Sequence, residues 1–232
     1  MGKTILITGA NRGIGLELTR EFSAHGWRVL ACCRDPQVAG ELKNLAERLP
    51  EALRIFPLEV TDSARIQELS AVLADEAIDI LLNNAGVSGP ERQDFGAIDT
   101  DAWLRTFRIN SIAPLDMAAA FVEQVARSRR KIIATVGSQL GSLTENTEGG
   151  MYAYRSSKAA AHMVTKNLAI DLHDRGIIAV ALHPGWVRTR MGGPEAPVMP
   201  RQSAAELFQV LTSLTLKDSG KLWAHTGQVL PW

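Results

Sequence analysis

The sequence predicts a single doubly wound α/β domain, with a mainly parallel central sheet and helices on both faces. Strand-like and helix-like segments alternate from end to end of the 232 residues. The first apolar run passes directly into a glycine-rich turn and then an amphipathic helix. No repeat, low-complexity tract or Pro/Ser-rich linker divides the chain, and its length suits one substantial domain.

Taken in order, Lys3-Thr4-Ile5-Leu6-Ile7-Thr8 reads as a buried parallel strand. Gly9-Ala10-Asn11-Arg12-Gly13-Ile14-Gly15 follows it. Ile14, Leu18 and Phe22 then recur at helical spacing, and Gly26 closes the segment as a C-terminal cap. Strand, glycine loop and helix form the context that a dinucleotide site requires. The glycines permit a tight turn and close approach to a pyrophosphate, while the helix N-terminus offers free N–H groups. The spacing is Gly-x-x-x-Gly-x-Gly rather than the commoner Gly-x-Gly-x-x-Gly. A ligand-free glycine turn stays open, whereas a kinase-type phosphate loop would need a Gly-Lys-Ser/Thr ending that is missing.

The second strand, Trp27 to Cys33, runs into Arg34. The third ends Leu58-Glu59-Val60-Thr61-Asp62, and the fourth, Ile78 to Leu82, leads into Asn83-Asn84-Ala85-Gly86. Lys131 to Val136 is another buried strand, followed by Gly137-Ser138-Gln139-Leu140-Gly141. That loop does not fit the Gly-x-Ser-x-Gly of a hydrolase nucleophile. The polar, glycine-ended stretch Leu143 to Gly150 reads as a loop bordering a cleft. Next comes Tyr154-Arg155-Ser156-Ser157-Lys158 at the head of a helical run, which puts Tyr154 and Lys158 one turn apart on one face. A nearby cation favours the phenolate of a tyrosine, whose reference pKa is ~10. Moving it by roughly three units takes about 4 kcal/mol, a task that an oxidised nicotinamide ring could share. Alone, the pair is more often a half-buried ring beside a solvated charge.

Thr8 to Gly15, Asn83 to Gly86, Asn110, Ser138, Tyr154 to Lys158 and Pro184-Gly185 together resemble the short-chain dehydrogenase/reductase family, in its order and over nearly the whole chain. The segment His183-Pro184-Gly185-Trp186-Val187-Arg188-Thr189 and the final Pro231-Trp232 are similar to its C-factor-like and sniffer-like carbonyl reductase branch. The resemblance implies one Rossmann-type dinucleotide-binding and catalytic domain over 1–232, with a substrate lid around 188–203. It implies four catalytic residues. Tyr154 gives a proton to a carbonyl oxygen, Lys158 tunes the phenol and holds the nicotinamide ribose, Ser138 orients the carbonyl, and Asn110 completes a proton relay. Ser142 is a minor competitor for the serine role, and a capping or bend-forming Asn110 is compatible with the relay. It further implies cofactor contacts from Gly9, Asn11, Arg12, Gly13, Ile14 and Gly15, and from Arg34, Glu59, Val60, Asn84, Ala85 and Gly86. Tyr154, Lys158, Pro184, Gly185, Val187 and Thr189 complete that cofactor surface.

Arg34 stands beside the place where an NAD-preferring relative carries an acid, here Cys33, and Arg12 lies in the glycine loop. Guanidinium suits a 2′-phosphate by charge and bidentate geometry, so the expected cofactor is NADP(H). Asp35 argues mildly against it unless it pairs with an arginine. Glu59 stands where the family has Asp, and its longer arm leaves the adenine contact open. The implied reaction is hydride transfer between nicotinamide and a carbonyl or alcohol, the substrate a small or medium hydrophobic ketone, aldehyde or quinone. The alternative is an NADP(H)-binding regulatory or signalling protein with little turnover. The resemblance also implies a homodimer or homotetramer through the helices around Asn110 and Tyr154.

Lys plus Arg and Asp plus Glu are 25 each, so no basic field invites nucleic acid. The Arg127-Ser128-Arg129-Arg130-Lys131 run reads as a helix C-terminus facing water. No signal or membrane-spanning segment is evident, and a cytoplasmic location is expected. Cys32 and Cys33, adjacent on a strand, point to opposite faces and read as reduced core residues. The five histidines show no zinc spacing, so no metal is expected. His183 reads as strand-end packing or a cofactor neighbour, Trp186 as a possible nicotinamide or substrate contact, and Trp223 and Trp232 as packing residues.

Overall fold

The computed structural model describes residues 2–232. Eight strands form one sheet: β1 (Thr4–Thr8), β2 (Arg28–Cys33), β3 (Leu53–Pro57), β4 (Ile80–Asn83), β5 (Ile132–Val136), β6 (Ile178–His183), β7 (Leu222–Ala224) and β8 (Val229–Leu230). Their order is β3-β2-β1-β4-β5-β6-β7-β8, parallel except for the final β7–β8 hairpin. Seven α-helices cover it: α1 (Gly13–Ala24), α2 (Gly40–Arg48), α3 (Ser63–Val72), α4 (Thr100–Phe107), α5 (Ala113–Ala126), α6 (Tyr152–Asp171) and α7 (Pro200–Ser213). The chain reverses direction across the sheet between β1 and β4, which opens a crevice at the carboxyl ends of those strands.

The strands are apolar throughout because both faces are covered. Ile5, Ile7, Val29, Ile80, Ile132 and Val180 pack on one side against Phe22 of α1 and Leu207 and Leu211 of α7. On the other side Leu6, Leu30, Leu81 and Ile133 meet Ile66 of α3, Phe121 of α5 and Leu168 of α6. Cys33 belongs to the first core and Cys32 to the second, and both thiols are free and buried.

The structure departs from the sequence reading in several places. The third strand ends at Pro57, since the chain turns at Glu59 and Asp62 caps α3 through the amides of Ala64 and Arg65. Residues 200–203 form the first turn of α7, where Pro200 supplies the fixed φ a helix start favours. The basic run after α5 does not simply face water. Arg130 reaches the Leu211 and Thr212 carbonyls at the end of α7 (3.1 and 2.9 Å), satisfying groups that the helix leaves without partners. Among the described residues no helix is long and apolar enough to cross a membrane.

The turn from β1 into α1 sets the cofactor end of the crevice. Gly9 and Gly13 adopt left-handed backbone (φ 66° and 55°), and a Cβ on Gly15 would sit 2.3 Å from the Gly9 carbonyl oxygen. Gly15→Ala is therefore expected to lower stability by roughly 1–3 kcal/mol through overpacking against backbone. Gly26→Ala, which meets only open space at φ 74°, should cost about 1 kcal/mol. Urea unfolding of the two variants checks the ranking.

Candidate active site

The glycine loop is locked from below by the end of β4. Asn84 donates its side-chain amide to the carbonyls of Thr8 (2.8 Å) and Gly9 (3.2 Å). The Thr8 hydroxyl in turn accepts from the backbone of Asn84 and Ala85, both at 3.0 Å. Arg12 occupies the N-cap of α1 in extended conformation, and no side chain caps the helix. The first-turn amides are thus left for an anion, which is the property a pyrophosphate site needs. Thr189 lies beside this loop, its methyl 3.4 Å from where a Gly13 Cβ would stand. Gly185, at φ 86°, turns the chain after β6 towards it.

At the adenosine end, the exposed Arg34 guanidinium lies 3.9 Å from Glu59 Oε2. Glu59 spends its other oxygen on the Thr61 amide and hydroxyl, each at 3.1 Å, which fixes the longer arm against its own turn. Asp35 accepts from the Gln37 amide (2.9 Å) and caps the short turn after β2, so its carboxylate is engaged by backbone rather than by an arginine. Arg34 faces solvent with one loose acidic neighbour, an arrangement suited to an incoming phosphate.

The chemistry end gathers on β5, α6 and a widened turn. Ser138 follows β5, and its Oγ accepts from the Leu140 amide (3.2 Å), capping a short 3₁₀ turn at Gln139–Gly141. The Ser138 hydroxyl lies near enough to the Tyr154 phenol to favour its ionised form. Lys158, one turn on, holds its Nζ 5.7 Å from the Tyr154 ring centre and donates to the Val136 carbonyl at 2.7 Å. That carbonyl is its one hydrogen-bond acceptor among the described residues, so an ammonium with three protons has donors to spare. Burial lowers its pKa from 10.5 to about 8. Burial also pushes the Tyr154 phenol above its ordinary value, against the opposing pull of the Ser138 hydroxyl. The expectation that the neighbouring cation lowers the phenol is not met in the cofactor-free protein. Desolvation is the leading cause for both groups.

Asn110 sits in a π-helical turn, Arg108–Ile112, between α4 and α5. Such turns insert one extra residue into a helix and often mark functional sites. Both protons of its amide are engaged: Nδ2 donates to the Val87 carbonyl and to Ser157 Oγ, and Oδ1 accepts from the Val87 amide, each at 2.9 Å, with one lone pair of Oδ1 left over. Ser157 passes this contact on to the Tyr154 carbonyl (2.8 Å).

Other residues surround this set. His162 is buried, and its ring nearly fills the places where Cβ atoms on Gly137 and Gly141 would stand. Its Nε2 accepts weakly from the Ser138 amide (3.4 Å). His183 Nδ1 accepts from the Gln139 amide (3.2 Å), so this histidine supports the serine loop. Burial lowers both imidazoles to about 4, keeping them neutral acceptors. Ser142 is buried and caps the Glu145 amide, away from the serine role. Trp186 is exposed and donates to the Gly192 carbonyl, bracing the 186–199 excursion, while Trp232 packs near His162 (5.3 Å between rings). No group of three or more His, Cys, Asp or Glu is placed to hold a metal among the described residues.

With this geometry in place, the comparisons are specific. The sequence profile of the short chain dehydrogenase family matches residues 3–198. The C-signal of Myxococcus xanthus is 40% identical over 155 residues, covering 67% of this chain and 93% of that protein. The carbonyl reductase Sniffer of D. melanogaster superposes with TM-score 0.94 at 33% identity over the whole of both chains. The NADPH-bound carbonyl reductase from chicken fatty liver does so with TM-score 0.93 at 34% identity, covering 100% of this chain and 99% of that one.

The lowered Lys158 value carries a stability consequence. The unfolded chain holds this proton more tightly, so the folded protein bears the full penalty below pH 8 and is relieved of it as pH rises from about 8 to 10.5. Lys158→Met is expected to stabilise the cofactor-free protein at neutral pH by up to about 3 kcal/mol. That gain should shrink across the same window in urea unfolding at fixed pH values. A gain that does not change with pH would mean that Lys158 is not a desolvated cation.

Proposed function

The chain belongs to the short-chain dehydrogenase family and is an oxidoreductase of it, and we propose that it works as an NADP(H)-dependent reductase of small or medium hydrophobic carbonyl compounds. The observation that carries this reading is the set of buried Ser138 and Lys158 with half-buried Tyr154 at the carboxyl ends of the central strands. NADPH, when bound, supplies hydride to the carbonyl carbon. Tyr154 is the proton donor to the carbonyl oxygen, and its raised pKa keeps it loaded with that proton at neutral pH. Ser138 hydrogen-bonds the same oxygen and, with the phenol, stabilises the negative charge that develops on it. Lys158 uses its spare donors on the nicotinamide ribose and on a proton path that passes Asn110. Asn110, through Ser157 and Val87, fixes the spacing between the widened turn and α6.

The cofactor assignment rests on the uncapped α1 terminus for the pyrophosphate and on Arg12 and Arg34 for the 2′-phosphate. The chicken reductase, which is NADPH-bound, supports it. Glu59, Val60, Ala85 and Gly86 wall the adenosine and ribose, and Val187 and Thr189 close over the other side. An apolar substrate is supported by Phe95 and Tyr152, whose rings are 6.5 Å apart, and by exposed Leu143, Trp186, Met191 and Met199. All six lie on segments that flank the Ser138–Tyr154 pair or the loop after Pro184-Gly185. Residues 188–199 would act as the lid, since parallel pairing of Val187 with Val198 closes the base of the excursion. Exposed Ile112, Leu115, Met163 and Ile170 on the π turn, α5 and α6 favour a homodimer or homotetramer through that face.

NADPH oxidation across a panel of ketones, aldehydes and quinones tests the reading. Turnover is expected for wild type and should fall by roughly 100-fold or more in Tyr154→Phe, with NADPH still bound. Near-normal turnover in Tyr154→Phe would overturn the proton-donor role, and absent turnover in wild type would favour a regulatory cofactor binder. Arg34→Ala should weaken NADPH binding about tenfold while leaving NADH binding near its original value.

A further inference from the structure

α6 begins without a cap of its own. Its N-cap residue, Met151, is held in left-handed backbone at φ 46° and offers no side-chain acceptor, and Gly149 and Gly150 precede it. The first-turn amides still need partners, because an unpaired N–H in a partly closed site is costly. Two of them are supplied from far away in sequence by a single residue, Gln93. Its main-chain carbonyl accepts from the Tyr152 amide (3.0 Å), and its side-chain Oε1 accepts from the Tyr154 amide (2.9 Å). The other end of the same side chain donates to the Ser88 and Pro90 carbonyls (2.9 and 3.1 Å), closing the loop that follows β4. Gln93 is buried, and both heads of its amide are occupied.

We infer that Gln93 is a positioning residue for Tyr154, acting as a long-range N-cap that ties the loop after β4 to the residue carrying the phenol. The inference rests on the role proposed for Tyr154. Three details make the connection specific. The capped amide is that of Tyr154 itself, so a shift in the cap moves the phenol's own main chain. The same loop passes Asn110 through Val87, so Gln93 and Asn110 hold its two ends against α6. Gly89 lies against the cap at φ 83°, where an added Cβ would stand 3.2 Å from Gln93 Oε1 and 3.4 Å from Ala153, which leaves little room for the amide to move. A displacement near 1 Å at a reacting group can cost a large factor in rate without altering binding elsewhere.

The experiment compares Gln93→Met, similar in size but without an oxygen acceptor, with Gln93→Glu, which still offers an oxygen to the Tyr154 amide but, as a carboxylate, cannot donate to Ser88 and Pro90. Steady-state kinetics are read beside NADPH affinity and the thermal midpoint, with Tyr154→Phe measured alongside. Gln93→Met should lower kcat on the order of tenfold with NADPH affinity within about twofold of wild type. Gln93→Glu should keep kcat within about threefold and raise the carbonyl substrate's KM, because the acceptor survives and the loop anchor does not. Wild-type kcat in a folded Gln93→Met protein overturns the inference, as does a folded Gln93→Glu protein whose kcat is as low as that of Gln93→Met. Should Gln93→Met fail to fold, a Gln93→Glu kcat below a tenth of wild type overturns it and one within threefold supports it. Full turnover in Tyr154→Phe would instead remove the proton-donor reading itself, a failure separable from either result at Gln93.

Discussion

Burial of the Lys158 ammonium against a single carbonyl, that of Val136, is the constraint on which the site depends. A cation in that position is expensive, and the lowered pKa of about 8 expresses the expense. The fold tolerates it because the rest of the domain is conventional: two apolar cores and parallel strands covered on both faces. The benefit is a cation with unused donors at the point where a ribose and a substrate would meet. Neutral His162 and His183 behind the serine loop belong to the same economy, since a second charge there would raise the cost further.

Desolvation acts on Tyr154 in the opposite chemical direction. For an ammonium, burial favours losing the proton; for a phenol, it favours keeping it. The cofactor-free site therefore rests with its proton on the phenol, the state needed to reduce a carbonyl. A positive charge arriving beside Tyr154 would ease the release of that proton. The pair is better described as poised by burial than as a tyrosine already acidified by its lysine.

Much of this was legible in the sequence, for local reasons. The glycine turn, the apolar strands and the Tyr154–Lys158 spacing are encoded in contiguous residues, and their alternation predicts the sheet that was found. The π turn at Asn110 was legible only as a bend-forming asparagine, because the bulge is held by Val87 and Ser157 from other segments. Gln93 was hidden for the same reason. The uncapped start at Met151 signals that an outside acceptor is needed, but nothing local names a residue more than fifty positions earlier. Arg130, read as a solvated charge, found carbonyls on α7 that only the folded packing brings near.

The most direct test follows the proton. Tyr152→Phe leaves Tyr154 as the only tyrosine of the chain, so the ultraviolet absorbance of phenolate reports its ionisation alone. In the cofactor-free protein this signal should appear only above the ordinary value of 10.0, well after Lys158 has lost its proton near 8, and should move to lower pH when NADP⁺ is added. Phenolate appearing near pH 8 without cofactor would show that the buried lysine holds its charge and acidifies the phenol by itself, contradicting the account.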